Sequence, residues 1–346
     1  IFDDSPEHIL AGRSILLIAE DESQNTIRVR PPERGGYGLD AMWNDDFHHA
    51  AVVALTGRSE AYYSDYQGSP QELISAIKWG FLFQGQYFSW QKKRRGTPTF
   101  GLPASAFITY LENHDQMSNS ARGDRLRTLT SPGRYKALTA TWLLAPGTPM
   151  FFQGQEYGAS RPFLYFADHI DTLARLVQKG RSEFLGQFRS IAHSEVAQCL
   201  PDPAAPETFG KSKLDPTERA NYKEIYALHN DLLKLRREDS IFSAQRADRI
   251  QGAVIGPEAF LLRYFGAGND CRLLIVNLGR DLFPNPTSEP LMAPPAGQRW
   301  AMLWYSEHPR YGGCGAPPFE VETHWRIPGH AALVLRPVPE EPEEGP

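Results

Sequence analysis

Four short apolar runs in the first half of the chain share one format, and that format is the strongest constraint on the fold. "SILLIA" (14–19) ends at Glu20, and "GLDAMW" (38–43) runs into Asn44, Asp45 and Asp46. "SAFITYL" (105–111) ends in "ENHDQ", and "GTPMFFQ" (147–153) runs into "GQEYG". Apolar runs of this length suit strands buried on both faces. Each is followed by polar residues and then by a helical pattern. Buried strands alternating with helices imply a parallel sheet. Polar clusters repeated at strand C-terminal ends are the layout of a (β/α)8 barrel site.

The helices have readable ends. "DDFHHAAVVALTG" begins with acids and closes at Gly57. "SPQELISAIKWGF" offers Ser69 as N-cap, Pro70 in the first turn and Glu72 beside it. "SPGRYKALTATWLLA" is a third helix, and 215–238 reads as one long fourth. Segment 182–213, with Pro201, Pro203 and Pro206, reads as an irregular insertion. After about residue 240 the texture changes to short strand-like runs separated by Gly and Pro turns, as in an all-β sandwich. The expected organisation is therefore a partial α/β barrel over 1–240, a β-sandwich over 241–338 and a disordered tail over 339–346.

Composition excludes several functions. A net charge of −5 supplies no basic field for nucleic acid. No apolar run approaches the roughly 20 residues that span a bilayer. Cys199, Cys271 and Cys314 are far apart and fit neither a metal pattern nor a disulfide framework, so a reducing, cytoplasmic setting is expected.

Glu20 is the first chemical candidate. At a barrel mouth backed by apolar wall its carboxyl would be desolvated, with a raised pKa suited to proton donation. Taken alone, it reads more readily as a solvated loop glutamate. Asp115, in Asn113-His114-Asp115-Gln116, is the second, although a capping turn explains that tetrapeptide nearly as well. Two carboxylates closing separate strands on one barrel face meet the requirement of glycoside hydrolysis. His48 and His49 diverge by about 100° on a helix and do not easily chelate one ion. No metal and no cofactor is expected. Trp43, Tyr37 and Phe47 read equally as core residues, and Glu156 as a turn cap.

The blocks "LLIAE", "GGYGLDAMWNDDFHHA", "ENHDQMSN" and "GQEYG", in this order, resemble the α-amylase superfamily (glycoside hydrolase family 13). The second block, with "RPPERGGYG", "SKLD" and "YGGCG", is similar to the malto-oligosyltrehalose trehalohydrolases within it. The resemblance implies a retaining hydrolase that cuts the α-1,4 bond beside the terminal trehalose of a malto-oligosyltrehalose. It makes Glu20 the general acid/base and Asp115 the transition-state stabiliser. His114, Gln116 and Asn119 would lie along the glucose rings. Asp46, Phe47, His48 and His49 would form the wall at the trehalose end, with Asp40, Trp43 and Glu156 completing the substrate contacts.

The sequence also departs from the pattern. Glu112 stands where Gln is commoner, and Gln155 where Glu is commoner. The Gly-x-Arg-x-Asp-Ala-Val-His motif that carries the nucleophile is absent, and Asp3 and Asp4 lack its arginine. Only Ala11, Gly12 and Arg13 separate "SPEHIL" from "SILLIA", whereas a parallel crossover needs about a dozen residues. The expectation is a C-terminal barrel portion that depends on a missing N-terminal half. A branching or debranching enzyme, or a non-catalytic glucan-binding fragment, are the alternatives.

Overall fold

The computed structural model describes residues 15–284, 288–315, 319–321 and 324–340. Asp3, Asp4 and tail residues 341–346 lie outside them.

Four strands form a parallel sheet in chain order: β1 (Ile18–Ala19), β2 (Ala41–Trp43), β3 (Phe107–Thr109) and β4 (Thr148–Pro149). Ala19 pairs with Met42, Trp43 with Ile108 and Thr109 with Pro149, so all four C-terminal ends point the same way. The strands are shorter than the apolar runs that announce them. Among the described residues β1 has a neighbour on one side only, and Ile15, Leu16, Leu17 and Ile18 are each about half exposed or more. At the other edge Pro149 has no N–H to donate.

Helices follow the strands, and their ends match the sequence signals. α1 (Asp45–Thr56) is capped by the Asn44 side chain, which accepts from the Phe47 N–H, and ends at Gly57 with φ 69°. α2 (Pro70–Trp79) has the reciprocal Ser69–Glu72 capping box. A short α3 (His114–Ser118) starts from Asn113, whose Oδ1 accepts from the Gln116 N–H. α4 (Pro132–Leu144) is buried almost along its whole length. Its Trp142 indole donates to the Thr109 carbonyl at 2.9 Å, fixing the helix against β3.

Two helical expectations are corrected. The stretch 215–238 is not one helix: it breaks at Tyr222 (φ −115°, ψ 51°) between a short turn, Glu218–Asn221, and α6 (Lys223–Glu238). The insertion is more ordered than its prolines imply, because α5 (Asp171–Leu185) runs into it and Pro206–Ser212 is helical. α5 lies largely in solvent, with Ile170, Leu173 and Leu176 exposed beside it or on it.

The C-terminal part is a five-stranded antiparallel sheet built from β5 (Ile250–Gly256), β6 (Ala259–Phe265), β7 (Cys271–Asn277), β8 (Gln298–Tyr305) and β9 (Ala331–Pro339), in the order β8-β9-β7-β6-β5. Alternation explains its continuous apolar runs. Phe260, Leu262, Leu274, Val276, Ala332 and Val334 face one core shared with the helices. Leu261, Leu273, Ile275, Leu333 and Leu335 face a second core, closed by Ile327 and partly buried Phe319 and Trp325. The second layer of the sandwich is thus thin, a two-stranded ribbon (Glu320–Val321 with His324–Trp325) plus connecting segments. No described helix is long and apolar enough to cross a membrane.

Candidate active site

Parallel pairing brings the polar residues after β1, β2 and β3 to one edge. Glu20 follows Ala19 directly, Asn44 and Asp45 follow Trp43, and Asp115 sits in the first turn of α3 beyond β3. Glu20 and Asp115 meet across the end of β2. Partial burial raises the Glu20 pKa above its ordinary value, and the charge of Asp115 and a hydrogen bond to it raise it further. Asp45 adds a weaker push in the same direction, and His114 opposes it. Two carboxyls sharing space favour one proton between them, which is the condition a general acid needs.

Asp115 and His114 are both about half exposed, with His114 Nε2 at 3.6 Å from Asp115 Oδ1. Trp43 is half-buried beside them, its ring 5.5 Å from Tyr110 and edge-on to His114 at 6.2 Å. Trp43, Tyr110 and His114 thus make one aromatic side to the carboxyl pair.

Asp45, Tyr110 and Arg95 are the members that the sequence did not single out. Asp45 accepts from the Tyr110 hydroxyl and pairs with Arg95 Nη2 at 3.2 Å. Burial raises its pKa, while Arg95 and Tyr110 pull it back. The signal for Asp45 is its place immediately after the Asn44 cap at a strand mouth. Arg95 carries no such signal; it belongs to the basic run "KKRR" and reaches back fifty positions in the chain.

The neighbouring Asp46 does something different, and its expected contact with sugar is corrected. It is fully buried, and both of its carboxyl oxygens are engaged. Oδ2 accepts from the Leu82 and Phe83 amides at 2.6 and 2.9 Å and from Gln24 Nε2 at 3.0 Å. Oδ1 accepts from the Tyr66 hydroxyl at 2.5 Å and lies 3.7 Å from Arg95. Fully buried, it has no exposed face to offer a ligand.

Phe47 is likewise fully buried in the main core. His48 and His49 are buried rings in a tyrosine cluster. His48 stacks on Tyr110 at 4.9 Å, and its Nε2 is 3.4 Å from the Tyr63 hydroxyl. His49 lies among Tyr62, Tyr63 and Tyr66, and neither ring nitrogen has a hydrogen-bond partner among the described residues. Burial pushes His48 down to about 3 and His49 well below its usual value, so both rings are neutral. Phe47, His48 and His49 are all buried within the first two turns of α1.

Asp40 is also corrected. It precedes β2, at the opposite end of the strand from Trp43, and its Oδ2 accepts from the Leu17 N–H at 2.7 Å. Its work is to tether the segment leading into β1. Gln116 accepts from the Tyr63 hydroxyl at 3.4 Å, and Asn119 Oδ1 accepts from Arg181 at 2.6 Å. Glu156 follows β4 in a 3-10 turn near Tyr157 and His229 and makes no described contact with Glu20 or Asp115. Glu112 is buried and receives Arg125 at 3.3 Å and the Leu126 amide at 2.7 Å, so it anchors the following loop.

A flanking cavity of about 640 Å³ is lined by His48, Tyr63, Gln116 and Asn119, but by neither Glu20 nor Asp115. Among the described residues no three His, Cys, Asp or Glu side chains gather as metal ligands.

Residues 247–334 match the family model "Domain of unknown function (DUF3459)", which covers most of the antiparallel sheet. The malto-oligosyltrehalose trehalohydrolase of Deinococcus radiodurans is 36% identical over 292 residues, 81% of this chain and 47% of that protein. That of Saccharolobus solfataricus is 36% identical over 246 residues, 69% of this chain and 41% of that protein. The crystal structure of a putative alpha amylase from Salmonella typhimurium superposes with a TM-score of 0.74 at 31% identity, covering 95% of this chain and 52% of the other. The chain spans about half the length of the curated relatives it matches. The chain thus resembles the malto-oligosyltrehalose trehalohydrolases over about half of their length and shares the fold of an α-amylase-type structure.

Proposed function

We propose that this chain carries two of the catalytic carboxyls of a retaining glycoside hydrolase that releases trehalose from malto-oligosyltrehalose. The observation that carries the proposal is the meeting of Glu20 and Asp115 at neighbouring strand mouths, with the Glu20 proton held above its ordinary pKa. Glu20 donates that proton to the oxygen of the α-1,4 bond next to the trehalose unit as the bond breaks. Asp115 stabilises the positive charge that develops on the sugar ring. A nucleophilic carboxylate forms the glycosyl-enzyme intermediate, and Glu20, now ionised, deprotonates the water that releases it.

The nucleophile is supplied from outside the described residues. Retaining chemistry places it about 5–5.5 Å from the acid. Asp45, a carboxyl that acts on Glu20, is spent on Arg95 and Tyr110. The exposed apolar edge at 15–18 supports the same reading, since further strands would cover it. The chain alone would then be inactive and prone to self-association.

In this reading Trp43, His114, Gln116 and Asn119 meet the glucan, while Asp46, Phe47, His48 and His49 set specificity by holding Asp45 and Tyr110 in place. The test is trehalose release by the purified 346-residue chain, with and without a separately supplied N-terminal half of a relative. Release that needs both partners is expected. Full release by the verified chain alone would overturn the placement of the nucleophile.

A further inference from the structure

A second cavity of about 410 Å³ lies along α5, beside the C-terminal end of α3. Arg175, Lys179 and Arg181 line it, and no Asp or Glu is among its described lining residues. The three cations outnumber the acids that act on them, Glu183 at Lys179 and Asp115 at Arg181, and leave a local positive potential that attracts anions. Gln178 and Gln198 add amide donors and acceptors, and Tyr165 adds a ring face.

The three cations are differently committed. Arg181 is fixed: it donates to Asn119 Oδ1 at 2.6 Å and to the Ser118 carbonyl at 2.8 Å, and its guanidinium lies 4.4 Å over the Tyr165 ring. Lys179 has only a loose, exposed pair with Glu183 at 3.8 Å, a type of contact that contributes little. Arg175 forms no ion pair with a described residue. A rigid guanidinium flanked by two available cations suits a group with several charged oxygens. A phosphate monoester, with about −1.5 to −2 charges and three acceptor oxygens at neutral pH, fits that demand better than a single carboxylate. The cavity is at the smaller end of ligand pockets, which run from about 300 to 1,000 Å³, and its amides suit hydroxyl groups.

We propose that this pocket binds a small sugar phosphate, with Arg175, Lys179 and Arg181 on the phosphate and the two glutamines on the hydroxyls. Arg181 also holds the C-terminal end of α3, the helix that carries Asp115, so it is left intact in the test.

Isothermal titration of the 346-residue chain with glucose 6-phosphate, inorganic phosphate and glucose tests the proposal. Glucose 6-phosphate is expected to bind in the millimolar range or tighter, phosphate more weakly and glucose not measurably. The double variant Arg175→Gln, Lys179→Gln changes two exposed side chains on α5 and should leave the melting temperature unchanged. It should weaken glucose 6-phosphate by about tenfold or more, and added salt should weaken the wild-type complex. No binding by the wild-type chain, equal binding by the double variant, or glucose binding as tightly as its phosphate would overturn the site. Inorganic phosphate binding as tightly as glucose 6-phosphate would overturn the sugar part of the assignment.

Discussion

Asp46 and Asp115 are both acids in the first turn of a helix that follows a parallel strand, yet they live in opposite surroundings. Asp46 is wholly buried, receives two backbone amides, a tyrosine hydroxyl and a glutamine, and has Arg95 beside it. Asp115 is about half exposed, and its partners are Glu20 and a neighbouring histidine. The saturated carboxylate is the one with nothing left to offer a substrate. The difference separates a packed layer that fixes geometry from an open mouth that retains unused bonding capacity, and "NDDFHH" belongs mostly to the first.

That division predicts different losses on the two sides. At the mouth, Glu20→Gln in a complete assembly should cost about 10²–10⁴ in trehalose release, with oligosaccharide binding retained. Near-normal turnover in that variant would remove Glu20 from the acid role. In the packed layer, Asp46→Ala should show in stability first. It strips the partner from four donors and removes one of the two carboxylates within ion-pair range of Arg95, a loss of about 3–5 kcal/mol in denaturant unfolding. A stable Asp46→Ala chain with altered sugar binding would return Asp46 to the substrate wall.

The buried histidines sharpen the comparison through pH. Unfolded histidine titrates near 6.5, whereas His48 in the fold is pushed down to about 3 and His49 lies well below its usual value, both by burial. Between those limits the unfolded chain binds more protons than the folded one. Stability is therefore full above about pH 6.5 and falls as pH is lowered toward 3, by up to about 1.4 kcal/mol per pH unit for each such ring. Thermal melts from pH 7 to 4 should show the fall, and His48→Gln should make it shallower. A slope unchanged by that substitution would place the proton uptake elsewhere. The smallest effect belongs to Asp40, where replacing the carboxylate by alanine removes one exposed hydrogen bond to Leu17 and should cost about 1 kcal/mol or less. A clear drop in glucan affinity from Asp40→Ala would contradict its placement at the far end of β2.

What the sequence revealed and what it hid follow the same physical line. Caps are local, so Asn44 with Gly57 and the Ser69–Glu72 box were legible and set α1 and α2 closely. Strand direction is also legible, and parallel pairing alone delivers Glu20 and Asp115 to one edge. Adjacent residues on a helix, however, face different ways, and nothing local says whether Asp45 or Asp46 turns inward. The choice is made by Arg95, Tyr66 and the amides of Leu82 and Phe83, all distant in the chain. Asp40 misled because the strand begins only at Ala41, which leaves it at the wrong end. α5 is strongly amphipathic, so its pattern was legible although Leu173 and Leu176 stay exposed; the nearby prolines drew the reading of 182–213 toward an irregular segment.

The central claim is that Glu20 is a proton donor poised by Asp115, and direct titration of the Glu20 carboxyl by NMR tests it without any need for turnover. In the wild-type chain Glu20 should titrate above the ordinary glutamate range, through burial first and Asp115 second, and Asp115→Asn should bring it down. A Glu20 carboxyl that titrates at its ordinary value and is unmoved by Asp115→Asn would contradict the account.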